Sequence, residues 1–189
     1  MRIISGYFKS IKLFIPLDKK TRPLKDITKE AIFNTLMHSK KNLFQFKKSK
    51  ILDLYSGSGS FGLECLSRGA DKVIFVENNK KALQILKKNI YKLNIEKQTS
   101  IVEHSVLNYL SSNNNFNYKV DLIFLDPPYK DNNIFELITS ITKTKILHKN
   151  GIIIIHRNKN TKDIFPNNFK ALDTKKYGIS KIIYGKLLL

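Results

Sequence analysis

The sequence contains a single cysteine and no tryptophan, and its 15 acidic residues are fewer than half of its 34 basic ones. A lone Cys65 excludes an intramolecular disulfide and a zinc site built on cysteines. Such cysteine use is typical of a reducing compartment, so we expect a cytoplasmic protein. No apolar run approaches the ~20 residues that a membrane helix needs. Lys9 and Lys12 interrupt what would be the apolar core of a signal peptide.

The basic excess gives a formal net charge of +19 and is spread unevenly along the chain. Thirty of the basic residues are lysine, so an AT-rich genome would raise the charge everywhere. Residues 1–50 nevertheless carry 13 basic and 3 acidic side chains, against 13 and 10 in residues 51–150. This concentration favours a nucleic-acid surface over a merely solvated face. The residues expected to contact phosphates are Arg2, Lys9, Lys12, Arg22 and Lys29.

The first 48 residues are predicted to form a basic RNA-binding extension. Residues 2–5 and 11–15 are short β-branched or aromatic runs around a turn that contains Gly6, which predicts a β-hairpin. Asp26 is a suitable N-cap for a helix from about residue 27 to residue 39, with Ile27 beginning its apolar face. Residues 49–189 are expected to form the second, larger domain.

In this second part, strands and helices alternate. Strands are predicted at residues 51–55, 72–77, 99–103, 120–125 and 151–156, with helices at 61–68, 80–93, 106–111 and 134–142. Consecutive strand–helix units predict an α/β fold with a mostly parallel, doubly wound sheet. The strands are near-continuous apolar runs, as a sheet covered on both faces requires. Residues 170–176 and 180–187 predict a closing antiparallel strand pair.

A glycine-rich turn follows the first strand of this domain. Gly57, Gly59 and Gly62 allow a tight turn into a helix whose N-terminus offers unpaired N–H groups. Glu77 ends the next strand, where a carboxylate can accept both ribose hydroxyls of a nucleoside cofactor. This pattern fits NAD, FAD or S-adenosylmethionine, but Asp53 favours the positively charged methionine end of the last. The residues expected to bind the cofactor are Asp53, Tyr55, Ser56, Gly57, Ser58, Gly59, Glu77, Asn78 and Asp126.

The strand at residues 120–125 ends in Asp126-Pro127-Pro128-Tyr129. Prolines and a carboxylate also end strands for purely structural reasons. That alternative explains one Asp and one Pro, but not two prolines and an aromatic residue at this end of this strand. In a doubly wound sheet this strand returns beside the first one, where ligands bind. We therefore expect Asp126 to face the cofactor loop.

The chemistry of an exocyclic base amine explains each position of this loop. Such an amine is a poor nucleophile because its lone pair is delocalised into the ring. The Asp126 carboxylate and the Pro127 carbonyl are expected to accept its two N–H groups and aim the lone pair at a methyl donor. Tyr129 is expected to stack on the base once it has left its helix. Amines of adenine, cytosine and guanine all fit this geometry.

These residues resemble motif IV of the amino-methyltransferases, and the whole chain resembles the RsmD family of bacterial 16S rRNA guanine-N2 methyltransferases. The matching segments are residues 2–6, 22–23, 30–34, 53–59, 62–64, 66–70, 76–77 and 126–129. The resemblance implies an S-adenosylmethionine-dependent methyltransferase (Rossmann-like) fold with a seven-stranded sheet. It places Ser105 against the cofactor adenine, where the family often has Asp or Asn. His156 stands where an acidic residue is common, and neither His156 nor Arg157 receives a role.

The sequence therefore predicts transfer of a methyl group from S-adenosylmethionine to N2 of one guanosine in 16S rRNA, during assembly of the small ribosomal subunit. We expect a monomer that binds no metal, because the four histidines lack metal-ligand spacing. A DNA adenine-N6 or cytosine-N4 methyltransferase is an alternative, although the chain leaves little room for a large target-recognition domain. A non-catalytic RNA-binding assembly factor is a further alternative, but it would need neither loop.

Overall fold

The computed structural model describes residues 1–16, 24–38, 43–112, 116–128 and 133–188. Its helices are α1 Asp26–His38, α2 Ser60–Ser67, α3 Lys80–Leu93, α4 Val106–Ser112 and α5 Ile134–Thr144. Its strands are β1 Lys50–Leu54, β2 Lys72–Val76, β3 Thr99–Val102, β4 Val120–Leu125, β5 Leu147–Asn158, β6 Phe169–Tyr177 and β7 Ser180–Leu187. Every predicted element of the second domain is present, and β5 begins four residues before its predicted start. None of the helices within the described ranges is long and apolar enough to cross a membrane.

The seven strands form one sheet in the order β3-β2-β1-β4-β5-β7-β6. Strands β1 to β5 pair in parallel, and β7 runs antiparallel to both β5 and β6. The predicted fold is confirmed, including the closing antiparallel pair. Because β2 and β3 extend to one side of β1 while β4 lies on the other, the winding reverses between β1 and β4. Ligands bind outside the carboxyl ends of strands at such a point.

Two apolar clusters cover the two faces of the sheet. Successive strand residues point to opposite faces, so Ile51 and Leu122 belong to one cluster while Leu52 and Ile123 belong to the other. The first cluster contains buried residues of α2 and α3, and the second contains those of α4 and α5. The strands are thus buried on both sides, which holds their carboxyl ends at one edge.

The N-terminal segment packs against the first cluster. Its predicted hairpin is reduced to a single antiparallel bridge between Arg2 and Lys12, and Ile3 and Leu13 are buried in the core. Gly6 has φ +86°, and a Cβ there would lie 1.8 Å from the carbonyl oxygen of Ser67. Described residues on both sides of the boundary expected after residue 48 share this cluster. The boundary itself stays a prediction.

Helix α1 buries part of the predicted apolar face, including Phe33, but leaves its first predicted residue exposed. Ile27 is 78% exposed, whereas Thr28, Lys29, Ile32 and Phe33 are buried. The helix therefore turns its apolar start outwards and carries a lysine into the core. A buried lysine requires a polar partner, and Lys29 lies beside the carboxylate of Glu64 in α2.

Candidate active site

A cleft of about 750 Å³ opens at the carboxyl edge of the sheet, where β1 lies beside β4. Its walls come from the start of α1, the loop after β1, the end of β2, the loop after β4, the end of β5 and the turn between β6 and β7. The predicted site residues that line it are Asp53, Tyr55, Ser56, Gly57, Ser58, Glu77, Asn78, Asp126 and Pro127. The structure thus brings the predicted cofactor residues and the predicted catalytic residues into one cavity.

The glycine loop wraps around the carboxylate of Glu77. Tyr55, Gly57 and Gly59 have φ values of +61°, +56° and +85°, so the backbone turns sharply at alternate residues. The N–H of Gly57 donates to Glu77 Oε2 at 2.8 Å. The other oxygen, Oε1, accepts from the N–H groups of Asn78 and Asn79. This carboxylate is half-buried at the cleft wall, and its position suits a pair of ribose hydroxyls.

Asp53 is a buried carboxyl group between the loop and the sheet. Its Oδ2 accepts from the N–H of Gly62 at 3.0 Å. Burial raises the pKa of Asp53 well above its usual value, and the negative charges of Asp126 and Glu77 act in the same direction. A positive charge in the cleft would lower this pKa again. The carboxyl of Asp53 is therefore suited to a cationic ligand.

Gly62 and Ser56 complete this half of the cleft. A Cβ at Gly62 would lie 2.4 Å from a ring atom of Phe75, so the missing side chain lets α2 pack closely on β2. The Ser56 hydroxyl is buried at the cleft wall and has no hydrogen-bond partner among the described residues. A buried hydroxyl without a partner is unusual, and a bound nucleoside would supply one.

The other half of the cleft is built around Asp126. Its N–H donates to the carbonyl of Leu54 at 3.4 Å, which continues the pairing of β4 with β1. Its carboxylate Oδ1 lies 2.8 Å from His156 Nδ1, and His156 Nε2 lies 2.8 Å from Ser180 Oγ. Pro127 is buried and Pro128 is exposed. The predicted acidic group therefore stands in the cleft with a histidine at its side.

Sequence reasoning missed His156 as a site residue. Leu125 pairs with Ile155 in the parallel register of β4 and β5, so the residues that follow each are neighbours at the carboxyl edge. The sequence did predict that strands end near residues 125 and 156. To place His156 beside Asp126, however, one must also know that β5 lies directly beside β4.

Some predicted site residues lie elsewhere. Gly59 and Ser105 are not among the described residues that line the cleft. Gly59 is the N-cap residue just before α2, and a Cβ there would lie 2.5 Å from Leu86 Cδ1. The Ser105 hydroxyl accepts from the N–H of Asn108 at 3.3 Å, so it caps α4. Tyr129 and Arg22 lie outside the described residues, and their expected roles stay predictions.

The predicted phosphate-binding residues divide into two groups. Arg2, Lys9 and Lys12 are at least partly exposed on the N-terminal segment. Lys29 is fully buried; its Nζ donates to the carbonyl of Arg2 at 2.7 Å and lies 3.7 Å from Glu64 Oε2. Burial lowers the pKa of Lys29. The expected RNA contact of Lys29 was therefore wrong, because its ammonium is sealed in the core.

Cys65 is a core residue in the helix that follows the glycine loop. It is fully buried in α2, and burial raises the pKa of its thiol well above the usual value. A thiol in this state is a poor nucleophile. Over the described ranges of the chain, no three His, Cys, Asp or Glu side chains are grouped as a metal site requires.

The strand order, the glycine loop beside Glu77 and Asp126 at the end of β4 together define the class of S-adenosylmethionine-dependent methyltransferases. A family model described as "Conserved hypothetical protein 95" matches residues 1–186. The chain belongs to this family, which is the RsmD family that its sequence resembles.

Two named relatives and one solved structure agree with this assignment. Ribosomal RNA small subunit methyltransferase D of Haemophilus influenzae is 34% identical over 180 residues, which cover 95% of this chain and 90% of the relative. The same-named protein of Buchnera aphidicola subsp. Baizongia pistaciae is 33% identical over 93% of this chain and 86% of its own. The structure of yhhF from Escherichia coli, a candidate methyltransferase, has a TM-score of 0.83 at 25% identity and covers 99% of this chain and 97% of that one.

Proposed function

We propose that this protein transfers a methyl group from S-adenosylmethionine to the N2 amine of one guanosine in 16S rRNA. The observation that carries the proposal is the position of Asp126, which shares one cleft with the glycine loop and Glu77. The relatives named as small-subunit rRNA methyltransferases support rRNA as the substrate. They cover most of this chain, and the family model, which matches residues 1–186, includes its basic N-terminal segment.

The residues of the cleft fit S-adenosylmethionine. Glu77 would accept hydrogen bonds from its ribose hydroxyls, and Ser56 would find its missing partner there. Asp53 would face the positively charged methionine end, whose charge favours an ionised carboxylate. When bound, this cofactor supplies an electrophilic methyl group.

Asp126 and Pro127 would then act on the substrate amine. The carboxylate of Asp126 and the carbonyl of Pro127 accept the two N–H groups, which localises the lone pair on nitrogen and aims it along the line of transfer. The nitrogen would form a bond to the methyl carbon, and the bond between that carbon and the sulfur of S-adenosylmethionine would break. The extra proton leaves the nitrogen, and the Asp126 carboxylate is placed to receive it. Tyr129 would stack on the base.

The exposed cations of the N-terminal segment would hold the RNA. Arg2, Lys9 and Lys12 would contact phosphates, which gives affinity that falls with salt and carries little sequence information. Arg22 is expected to join them. We propose that the protein works as a monomer in the cytoplasm, on RNA of the assembling small subunit.

Identification of the labelled nucleoside tests this proposal. The protein would be incubated with methyl-labelled S-adenosylmethionine and, in separate reactions, small ribosomal subunits, free 16S rRNA and duplex DNA. Digestion that yields N2-methylguanosine from the subunits or the rRNA supports the proposal. A label on adenine N6 or cytosine N4 of DNA would identify a DNA methyltransferase instead. No label in any substrate would favour the non-catalytic assembly factor.

A further inference from the structure

His156 lies in a hydrogen-bonded row with two other side chains at the cleft wall. Its Nδ1 is 2.8 Å from Asp126 Oδ1, and its Nε2 is 2.8 Å from Ser180 Oγ. The His156 side chain is 8% exposed, whereas that of Asp126 is 22% exposed. All three residues line the cleft. The row thus runs from the buried hydroxyl of Ser180 to a carboxylate that is open to a ligand.

With an ionised Asp126 and a neutral His156, the direction of each hydrogen bond follows from the groups themselves. An ionised carboxylate only accepts, so His156 Nδ1 carries a proton and donates it to Asp126. In a neutral imidazole the second nitrogen is then an acceptor, and the Ser180 hydroxyl donates to Nε2. Both ring nitrogens are engaged, which leaves the ring one orientation that satisfies both partners.

The row stands on paired strands. Asp126 follows β4, His156 lies within β5 and Ser180 begins β7. The pairing of Leu125 with Ile155 places Asp126 beside His156. The antiparallel pairing of β5 with β7, in which His156 pairs with Ile182, places Ser180 close to His156. Sites supported by regular elements hold their geometry better than sites on loops. The imidazole is therefore a rigid support for a carboxylate that is itself just outside its strand.

We propose that His156 is a positioning residue for Asp126, with Ser180 as its anchor. The Nδ1–H of His156 engages Oδ1 and fixes the rotation of the carboxylate, so that the second oxygen meets the amine N–H. The inference rests on the proposed function, since it assigns Asp126 the amine. It gives His156, to which the sequence pattern assigned no role, a function in holding Asp126. Neither His156 nor Ser180 touches the reacting atoms in this scheme.

Three substitutions at His156 separate this role from simple packing. H156F keeps a ring of similar size and removes both nitrogens, and H156Q places an amide towards Ser180 while losing the donor to Asp126. H156N keeps a donor close to the Nδ1 position. We expect single-turnover methyl transfer to fall about 10- to 100-fold in H156F and H156Q, because misplacement of a reacting group has effects of this size. H156N is expected to recover part of the loss.

The affinity for S-adenosylmethionine serves as a readout that positioning should not move, and the melting temperature shows whether each variant remains folded. All three variants are expected to bind the cofactor with nearly unchanged affinity. A variant H156F that transfers methyl groups at the wild-type rate overturns the proposal, and so does a rate loss that H156N shares in full with H156F. A rate loss that always accompanies lost cofactor binding or an unfolded chain also overturns it, because packing alone would then explain it.

A spectroscopic measurement tests the His156–Asp126 bond without any activity assay. Nitrogen-15 NMR of the imidazole is expected to show a protonated Nδ1 and an unprotonated Nε2 in the ligand-free protein, with H156F used for assignment. In D126A the proton is expected to leave Nδ1 for Nε2. A wild-type protein with the proton on Nε2 would overturn the inference. If the wild type methylates no nucleic acid, the proposed function fails. If the wild type and H156F are equally active, only the positioning role of His156 is overturned.

Discussion

The carboxylate of Glu64 accepts a hydrogen bond from the backbone N–H of Ile4 at 2.7 Å, although 60 positions separate the two residues. Its other oxygen accepts from the N–H of Ser5 and from Arg68 Nε. Lys29 lies beside it in the core. Glu64 belongs to α2, the helix that begins at the glycine loop. The segment expected to bind RNA is therefore joined to the segment expected to bind the cofactor.

Substitution of Glu64 by Ala should destabilise the whole protein. It would leave two backbone N–H groups without their acceptor and remove the carboxylate 3.7 Å from the buried Lys29 Nζ. The loss of one partner from a buried pair costs about 3–5 kcal/mol. The free energy of unfolding, measured with urea, is the test. As a control, E103A removes the exposed partner of Lys87 and should cost at most about 1 kcal/mol. Equal effects in the two variants would show that the Glu64 network contributes little.

Asp53 should make the stability of the ligand-free protein depend on pH. Because burial raises its folded pKa, its stabilising contribution is complete below its unfolded pKa of about 4 and is lost as the pH rises through the folded value. D53N removes this loss and retains an oxygen for the N–H of Gly62. The stability of D53N relative to the wild type is therefore expected to increase with pH. Parallel pH profiles for both proteins would contradict this explanation.

The same substitution is expected to weaken binding of S-adenosylmethionine. A cationic ligand favours the ionised carboxylate, so wild-type affinity should rise with pH while the affinity of D53N stays level. Isothermal titration at several pH values measures both. A D53N protein that binds the cofactor as tightly as the wild type would remove Asp53 from the site.

Gly62 and Gly69 offer a matched pair for the packing of α2. A Cβ at Gly62 would overlap Phe75 and Val73, whereas a Cβ at Gly69 meets nothing within 4 Å. G62A is expected to lose about 1–3 kcal/mol through overpacking and to weaken cofactor binding, since α2 carries the end of the loop. G69A should suffer only backbone strain from its positive φ and keep its cofactor affinity. Equal cofactor affinity in both variants would argue against close packing at Gly62 as a requirement of the site.

Lys9 and Lys12 are expected to contribute to RNA affinity through phosphates. Their joint replacement by Ala should flatten the dependence of log affinity on log salt by about 0.7 for each phosphate that is no longer neutralised. Lys97 and Lys149 are also exposed but lie outside the N-terminal segment, near the amino ends of β3 and β5. Their joint replacement should leave the slope unchanged. If both double variants show the same dependence of log affinity on log salt, the RNA does not contact Lys9 and Lys12.

The sequence predicted those parts of the molecule that depend on local patterns. Apolar strands and glycine turns reveal themselves within a few residues, and the positions of Glu77 and Asp126 at strand ends follow from the order of the elements. The burial of Lys29 does not follow from this order, because it depends on Glu64, which lies in another helix. His156 was missed for the same reason, since its partners come from β4 and β7. Local sequence patterns could therefore not predict polar contacts between residues that are far apart in the chain.

The most direct test of the account is the rate of methyl transfer in D126A. Single-turnover transfer to 16S rRNA is expected to fall by at least about 10²–10³-fold, since the variant loses the oriented acceptor for the amine. Its affinity for S-adenosylmethionine should fall far less than the rate, because Asp126 is only one of the expected cofactor contacts and Glu77 and the glycine loop are unchanged. A D126A protein that produces N2-methylguanosine at the wild-type rate would contradict the assignment of Asp126 as the group that holds the amine.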